Sequence, residues 1–487
     1  MKKVLVTLVA VATLAAFAGT ASAVTCTIDH KPAATLLLPY FQTSVSNAGG
    51  TIAPTPFNGG LGGTDTLVTV VNASSAPTLA HVTVWNRRSV PVLDFNIGLT
   101  GFDVISWSMG GVLTGTLPDN PALDGDNACD SNSFVRFSPT SFPTGNDSGA
   151  STNYNTPAFP QSFAASLAAE LDGSDDCLAG GIDPNFGANG TDLLVGYVTI
   201  DMVNYCTFDN PNDAKYWEDV AAGFENSLWG DYTIQTEGTT PTYGGALVGL
   251  EADVRVETGF NGSNASIDEP IRTFYARYWE AADGTVLINT PPGGYNGGQA
   301  YFNSIGLFQI PVGDMREPLG ITYGARYLNI SADSTSFLRA WRASADSLTD
   351  LTGGDCTDVE PNVFTVIWDE DETPAQQTGC QVSPCPPGQT FNIPYETQRI
   401  GIVDFAGSNA STAGWVYIDF GADQLATVLD QAWLAYDFSV PGSFANAGID
   451  AVSLDANNCQ PADFAGSVYP NLPEVPTPVN ADGITGF

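Results

Sequence analysis

The sequence predicts an all-β protein that consists of two immunoglobulin-like or jelly-roll-like β-sandwich domains, with long loop insertions and one or two short helices. The main observation is the segment 64–118, in which β-branched and aromatic residues alternate with polar ones between turns rich in Asn, Ser, Pro and Gly. This alternation is typical of antiparallel strands with one buried face. We predict four such strands in one sheet, at residues 67–71, 80–85, 92–97 and 102–107.

A second observation is an internal similarity between the two halves of the chain. Three segments of the first half are 83–85 (TVW), 95–97 (FNI) and 196–201 (GYVTID). They recur in the same order as 366–368 (VIW), 391–393 (FNI) and 414–419 (GWVYID). The similarity predicts two sandwiches of similar topology, and the chain is long enough for each to bury its own core. We predict an N-terminal domain at 24–334 with an insertion at 110–190, a C-terminal domain at 335–460, and a proline-rich tail at 461–487.

Two segments have the apolar periodicity of a helix. At residues 162–171 the apolar side chains that fall on one face are Phe163, Leu167 and Leu171. The longer segment, 213–229, begins at Asp213, which can cap a helix, and is followed by Gly230, which can terminate one. We predict a helix in each segment.

The first 23 residues have the three parts of a secretory signal peptide. Lys2 and Lys3 form a basic end, an apolar run follows, and residues 21–23 (ASA) are a small-x-small cleavage site. We therefore predict cleavage after Ala23 and a soluble protein that is secreted or at the cell surface, with the periplasm as a further option. No later segment of the sequence approaches the ~20 apolar residues that a membrane-spanning helix needs.

Eight cysteines follow the predicted cleavage site. An even number of cysteines in an exported chain indicates disulfide bonds. We favour the pair Cys129 and Cys177, because both lie in the predicted insertion. The cysteines lack the Cys-x-x-Cys spacing of zinc and redox sites, and His30 and His81 are the only histidines, so the sequence argues against transition-metal binding.

The sequence is strongly acidic, with a formal net charge of -38 at pH 7. Such a charge repels nucleic acid and anionic membranes. We therefore expect no nucleic-acid partner and no membrane insertion. The expected partner is an extracellular ligand, either a glycan or a surface protein.

Several short motifs are spread over most of the chain. They include residues 35–41 (TLLLPYF), 316–319 (REPL) with 325–329 (ARYLN), and 383–386 (SPCP) with 396–399 (ETQR). These motifs resemble those of a family of exported bacterial proteins with no assigned activity. The resemblance implies an exported all-β protein and supplies no catalytic residues. More loosely, residues 70–74 (VVNAS) look like part of the immunoglobulin-like modules of bacterial surface proteins.

A cluster of acidic residues in the predicted insertion is a candidate calcium site. Calcium takes about six to eight oxygen ligands, and closely spaced carboxylates can supply them. The carboxylates are Asp119, Asp124, Asp126 and Asp130. The pattern departs from an EF-hand loop, because Cys129 stands where the turn glycine is expected and Val135 where the bidentate Glu is expected. A solvated acidic loop is the alternative interpretation. Calcium is the one cofactor that the sequence suggests.

Four arginines form a candidate ligand site in a region that is less acidic than the rest of the chain. They are Arg272, Arg277, Arg316 and Arg326, and the second and fourth each stand in an Ala-Arg-Tyr sequence. Guanidinium groups bind carboxylates in a bidentate manner and stack on aromatic rings, so these residues predict a site for an anionic or sugar ligand. The alternative is that they form structural ion pairs with nearby Asp and Glu.

The sequence gives little support to catalysis. Residues 145–149 (GNDSG) resemble the serine motif of trypsin-like proteases, but we interpret them as a turn, and His81 as a hydrogen-bonded histidine within a strand. Tryptophans in strand patterns, among them Trp85, Trp368 and Trp415, are predicted to be core residues. We therefore predict a binding or structural role with no identifiable catalytic site. The alternative is a carbohydrate-active enzyme or a lectin-like carbohydrate-binding protein.

Overall fold

The computed structural model describes residues 31–48, 51–54, 63–87, 89, 91–118, 134–135, 161–172, 191–207, 210–211, 216, 222–236, 243–252, 274–275, 299–302, 307–310, 316, 319–328, 335–343, 362–369, 389–392, 395–401, 413–420, 431–439, 447–450 and 452–453. Within these residues the protein is mostly β, with two short helices. The predicted all-β, sandwich-like fold is confirmed.

The first part of the chain folds into two antiparallel sheets. Its elements are β1 (Thr35–Ala48), β2 (Thr51–Pro54), β3 (Thr64–Asn72), β4 (Thr78–Trp85), β5 (Pro91–Leu99), β6 (Val104–Ser108), α1 (Met109–Leu113), β7 (Phe134–Val135), α2 (Gln161–Asp172), β8 (Thr191–Val203), β9 (Leu228–Thr236), β10 (Tyr243–Ala246) and β11 (Val248–Leu250). Sheet A has the strand order β10-β9-β3-β6. Sheet B has the order β11-β1-β8-β4-β5-β7, and β2 pairs with β1.

The second part of the chain forms a hairpin and two further antiparallel sheets. Its strands are β12 (Gln299–Phe302), β13 (Leu307–Ile310), β14 (Thr322–Leu328), β15 (Thr335–Ala343), β16 (Asn362–Asp369), β17 (Gln389–Asn392), β18 (Thr397–Gly401), β19 (Ala413–Asp419), β20 (Gln431–Ser439), β21 (Ala447–Asp450) and β22 (Val452–Ser453). Strands β12 and β13 form the hairpin. Sheet C has the order β18-β15-β20-β21, and sheet D has the order β17-β16-β19-β14-β22.

The four strands predicted within 64–118 are present as β3 to β6, but they do not form one sheet. Strands β3 and β6 pair in sheet A, whereas β4 and β5 pair in sheet B. The chain thus crosses between the sheets twice, and Asn72 holds the two connections together by donating to the carbonyl oxygens of Ala76 at 2.6 Å and Thr100 at 3.0 Å. The prediction of one buried face was wrong for β5, in which every residue is buried.

The two halves of the chain have the same topology. Sheet B contains the order β11-β1-β8-β4-β5, and sheet D repeats it as β22-β14-β19-β16-β17. Sheet A has the order β10-β9-β3-β6, and sheet C repeats it as β21-β20-β15-β18. Sheets A and B are the first sandwich, and sheets C and D are the second. Strand β14 precedes the predicted domain start at residue 335 but pairs with β19, so it belongs to the second sandwich.

The repeat extends to individual residue pairs. Thr35 is opposite Asp201 between β1 and β8, and Thr322 is opposite Asp419 between β14 and β19. Gly196 and Gly414 also occupy equivalent positions. A Cβ atom at either glycine would collide with the carbonyl oxygen of a tryptophan on the neighbouring strand, Trp85 of β4 or Trp368 of β16. The structure therefore confirms the two sandwiches of similar topology that the internal similarity predicts.

Each sandwich has its own apolar core, and a third apolar cluster joins the sandwiches. The first core lies between sheets A and B, and the last lies between sheets C and D. The joining cluster contains Trp85 and Tyr197 of sheet B together with Trp341 and Trp433 of sheet C. The ring of Tyr197 meets that of Trp341 at 6.0 Å and 71°. Sheet B thus lies between sheets A and C, and sheet C lies between sheets B and D. The second face of β5 is covered by the segment after β8, where Asn96 donates to the carbonyl oxygen of Thr207 at 2.8 Å.

Polar contacts reinforce the junction between the sandwiches. Arg339 of β15 donates from Nε to Asp437 at 2.8 Å and from Nη1 to the hydroxyl of Tyr232 in β9. Thr397 of β18 donates to the carbonyl oxygen of Pro39 in β1 at 2.6 Å. The bonds to Tyr232 and Pro39 connect strands of the second sandwich to strands of the first, and the bond to Asp437 holds Arg339 in place within sheet C.

Of the two predicted helices, the first is present, and the second is only partly described: Tyr216 is helical, whereas the predicted helix does not extend to its expected end at residue 229. Helix α2 covers the segment predicted at 162–171, and its Phe163, Leu167 and Leu171 are buried in the first core. Residues 222–229 of the other predicted helix are not helical: Ala222 forms a bridge with Val203, and β9 begins at Leu228. Pairing with β3 has prevailed over the helical periodicity, because from Leu228 onward alternate residues face the core. Among the described residues no helix is long and apolar enough to cross a membrane.

Candidate functional site

A buried polar cluster lies on the face of sheet B that is turned away from sheet A. Its centre is Asp201 in β8, which is opposite Thr35 in β1 and His81 in β4. All three side chains are fully buried. A buried carboxylate must be paired and hydrogen-bonded, or it would be neutralised at a large cost in free energy.

Asp201 has a complete set of partners. Its Oδ1 accepts from the hydroxyl of Thr35 at 2.5 Å, and its Oδ2 accepts from the hydroxyl of Tyr216 at 2.8 Å. The hydroxyl of Tyr275 lies 2.8 Å and 2.9 Å from the two carboxylate oxygens. Nε of Arg316 lies 3.5 Å from Oδ1. Three hydroxyls and a guanidinium therefore compensate the charge of Asp201.

Arg316 connects this cluster to the segments that cover it. Its Nε donates to the hydroxyl of Thr35, and its Nη2 donates to the carbonyl oxygen of Gly223 at 3.2 Å. The guanidinium lies 5.6 Å from the ring centre of Phe224 and 5.4 Å from that of Tyr275. Arg316 is itself fully buried, so each charge of the Asp201–Arg316 pair is stabilised by the other.

The electrostatics of the cluster keep the hydroxyl of Tyr275 protonated. Burial, and then the negative charge of Asp201, raise the pKa of Tyr275 well above its ordinary value of 10.0. Tyr275 therefore remains a hydrogen-bond donor at neutral pH. A satisfied carboxylate surrounded by protonated donors is suited to holding chain segments together and is a poor general base.

His81 extends the polar cluster along β4 to β5. Its Nε2 lies 3.4 Å from Oδ2 of Asp94, and its Nδ1 lies 3.1 Å from Oδ1 of Asn96. Burial disfavours the imidazolium, but the hydrogen bond and charge of Asp94, with Asn96 and Asp201, raise the pKa of His81 above its ordinary value of 6.5. Both ring nitrogens face acceptors, so His81 is the hydrogen-bonded strand histidine that the sequence predicts.

The structure separates the two candidate ligand-binding arginines that it describes. Arg316 is buried beside Asp201, which is the ion-pair alternative, whereas Arg326 is exposed on β14 in sheet D. Arg272 and Arg277 lie outside the described residues. The same holds for the predicted calcium ligands Asp119, Asp124, Asp126 and Asp130, and for the predicted disulfide of Cys129 and Cys177. These assignments stay predictions.

Two further observations concern metals and disulfides. Within the described ranges, no group of three or more His, Cys, Asp or Glu side chains could hold a metal ion. Cys206, which follows β8, is disulfide-bonded, and its partner is outside those ranges.

A second candidate site is the outer face of sheet D, the face turned away from sheet C. Arg326, Trp415 and Trp368 stand side by side on β14, β19 and β16. Trp415 is 49% exposed, and the guanidinium of Arg326 lies 5.9 Å from its ring centre. The prediction that Trp415 is a core residue was wrong. We call this row of three residues the D-face row.

Comparisons with family models, curated proteins and solved structures yielded no match to this chain. The two sites are therefore interpreted from their own chemistry. The cluster around Asp201 is closed, whereas the D-face row presents an indole and a guanidinium to solvent. Tryptophan and arginine are the residue types most enriched where proteins bind partners.

The D-face row could have been predicted from a pattern in the sequence that strand propensity alone does not reveal. In residues 414–419 (GWVYID) the aliphatic residues Val416 and Ile418 alternate with Trp415 and Tyr417. The aliphatic side chains are buried in the core of the second sandwich. The aromatic side chains must then point to the opposite face, which is at the end of the stack of sheets.

Proposed function

We propose that this chain is a secreted or cell-surface protein with a binding or structural role, and that it binds through the outer face of sheet D. The observation that carries the proposal is the half-exposed Trp415, which stands between Arg326 and Trp368 on neighbouring strands. An exposed aromatic side chain next to an exposed cation is a feature of recognition surfaces.

The cluster around Asp201 supports a structural part of this role. Its hydrogen bonds join β1 and β8 to Tyr216, Tyr275 and Arg316, and these side chains are fully buried. Export is proposed from the signal-peptide pattern of residues 1–23 and from the acidic composition. A disulfide at Cys206 is in keeping with an oxidising compartment.

A lectin-like function is the second candidate, and the D-face row favours it as well. The indoles of Trp368 and Trp415 lie on adjacent strands of one sheet face, and flat aromatic surfaces can stack against sugar rings. The carbohydrate-active enzyme that the sequence left open would in addition need two carboxylates about 5–10 Å apart in an accessible cleft.

The experiment is a glycan array combined with a screen for polysaccharide turnover. It uses the purified chain, the variant Trp415→Ser, and the control Tyr205→Ser, in which another exposed aromatic residue is changed. Glycan capture that is lost in Trp415→Ser and kept in Tyr205→Ser supports the lectin-like function. Turnover of any polysaccharide by the wild-type chain would contradict a purely binding or structural role.

A further inference from the structure

The contact between the two sandwiches uses two matching rows of residues. On sheet B the row is Tyr197 of β8 and Trp85 of β4, which are opposite each other and whose rings stack at 5.8 Å and 5°. On sheet C the row is Trp433 of β20, Trp341 of β15 and Thr397 of β18, also directly opposite one another. The four aromatic residues lie in one buried cluster.

Because the sandwiches repeat each other, each row has a counterpart at an end of the stack. The counterpart of the sheet B row is the D-face row, in which Trp415 corresponds to Tyr197 and Trp368 to Trp85. Tyr197 is fully buried and its ring contacts Trp341 of the second sandwich, whereas Trp415 is half exposed. The first sandwich thus shows what covers this face when a further sandwich follows.

The counterpart of the sheet C row lies on the outer face of sheet A. It consists of Trp229 of β9, Val71 of β3 and Val104 of β6, which are opposite one another across three strands. Val71 follows the core residue Val70 just as Trp341 follows the core residue Ala340. We call these three residues the A-face row; by this correspondence, Trp229 occupies the position of Trp433.

The exposed apolar residues are concentrated at these two ends. The structure describes five large hydrophobic side chains that are exposed: Leu67, Phe102, Val104, Tyr205 and Trp415. Leu67 and the 56%-exposed Val104 lie on the outer face of sheet A, and Phe102 is in the turn that leads into β6. The two ends also differ in charge, because Asp231 is exposed two residues after Trp229 and Arg326 is exposed beside Trp415.

We propose that copies of this chain associate head to tail, with the D-face row of one copy packed on the A-face row of the next. This contact repeats between chains the contact that sheets B and C make within one chain. It joins two different surfaces, so it is heterologous and, if the rotation does not close a ring, generates an open filament. The inference rests on the proposed binding role of sheet D and names its partner.

The first measurement is sedimentation velocity of the purified chain over a range of concentrations, at about 0.15 M and about 0.5 M salt. The sedimentation coefficient is expected to rise with concentration. The rise should be steeper at the higher salt concentration, because salt screens the repulsion between chains of net charge -38. A wild-type chain that stays monomeric throughout would overturn the proposal.

Two variants test that the contact joins different faces. The D-face variant is Trp415→Ser with Arg326→Ser, and the A-face variant is Leu67→Lys with Val104→Lys. Each is expected to stay monomeric at concentrations at which at least half of the wild-type chain is assembled. An equal mixture should form dimers and nothing larger, because each variant retains the face that the other has lost. Tyr205→Ser should assemble as the wild type does.

The mixture also separates this contact from a symmetric one. If sheet D paired with sheet D of another copy, the A-face variant alone would still dimerise and mixing would add nothing, which would overturn the proposal. Circular dichroism establishes whether both variants are folded. If a double variant does not fold, the single substitution Trp415→Ser or Val104→Lys replaces it.

The failure of this inference differs from the failure of the proposed function. A monomeric chain that captures glycans through Trp415 would overturn self-association and leave the binding role intact. If Trp415→Ser changes neither glycan capture nor sedimentation, both proposals fail.

Discussion

Trp415 is directly opposite Trp368 on the exposed face of sheet D, in the relationship that Tyr197 and Trp85 have on the buried face of sheet B. In the first sandwich this aromatic pair is covered by Trp341 of the second. The same local structure is therefore an internal contact in one sandwich and an exposed surface in the other. Whether the aromatic pair is buried or exposed depends on the position of its sheet in the stack.

The ion pair of Asp201 and Arg316 gives the first prediction. Asp201→Asn leaves the guanidinium of Arg316 buried without its counter-charge, and we expect a loss of about 3–5 kcal/mol in the free energy of unfolding. The measurement is urea unfolding at equilibrium. The matched control is Asp419→Asn at the equivalent, half-buried position of the second sandwich, for which we expect less than about 1 kcal/mol. Equal losses in the two variants would contradict the structural role of Asp201.

The second prediction concerns the equivalent glycines. In Gly196→Ala and Gly414→Ala the new methyl group meets a backbone carbonyl of the neighbouring strand, and each variant should lose about 1–3 kcal/mol of stability. Gly111→Ala is the control, because a Cβ atom there would make only ordinary contacts. If both strand variants are as stable as the control, the two strand pairs are not as close as the structure has them.

The third prediction concerns the titration of His81. Its folded-state pKa is raised above 6.5, so its contribution to stability is fully present below about pH 6.5 and is lost as the pH rises through the folded pKa. The groups that face the ring are Asp94, Asn96, Asp201 and Tyr216. The stability difference between wild type and His81→Gln should therefore shrink with rising pH.

The same titration can be observed directly. In the variant His30→Gln, His81 is the one histidine left in the sequence, and its imidazole NMR signals report its pKa. We expect a midpoint above 6.5. A midpoint below that value would mean that burial outweighs the charge of Asp94.

The fourth prediction concerns the junction of the sandwiches. Tyr232→Phe removes the hydroxyl that accepts a hydrogen bond from Arg339, and we expect a loss of about 1.5–3 kcal/mol, the range for hydrogen bonds to charged groups. Calorimetry should show a lower unfolding midpoint, by about 2–4 °C per kcal/mol, together with a broader transition if the sandwiches separate. Tyr327→Phe is the control, because its hydroxyl donates to the carbonyl oxygen of Trp368 within the second sandwich. A transition that is no broader in Tyr232→Phe than in the control would contradict a role of this bond at the junction.

Local patterns in the sequence were enough to predict four strands and one helix of the first sandwich, and an internal similarity indicated the second sandwich. Strands β3 to β6 follow from the alternation of apolar and polar residues, and α2 follows from Phe163, Leu167 and Leu171, because these signals are local. The recurrence of GYVTID as GWVYID indicated the repeat, which the matching strand orders confirm.

Which faces are buried and which residues meet depends on long-range contacts, which local patterns do not contain. Thr35 and Arg316 are 281 residues apart in the chain and bond to each other beside Asp201, a contact that no local pattern contains. The start of β9 at Leu228 reflects pairing with β3, which overrode a helical periodicity. Tyr197 is buried and Trp415 is exposed although their strands repeat one another. The physical reason is that alternation fixes which side chains share a face, whereas only the stacking of whole sheets determines whether that face meets protein or water.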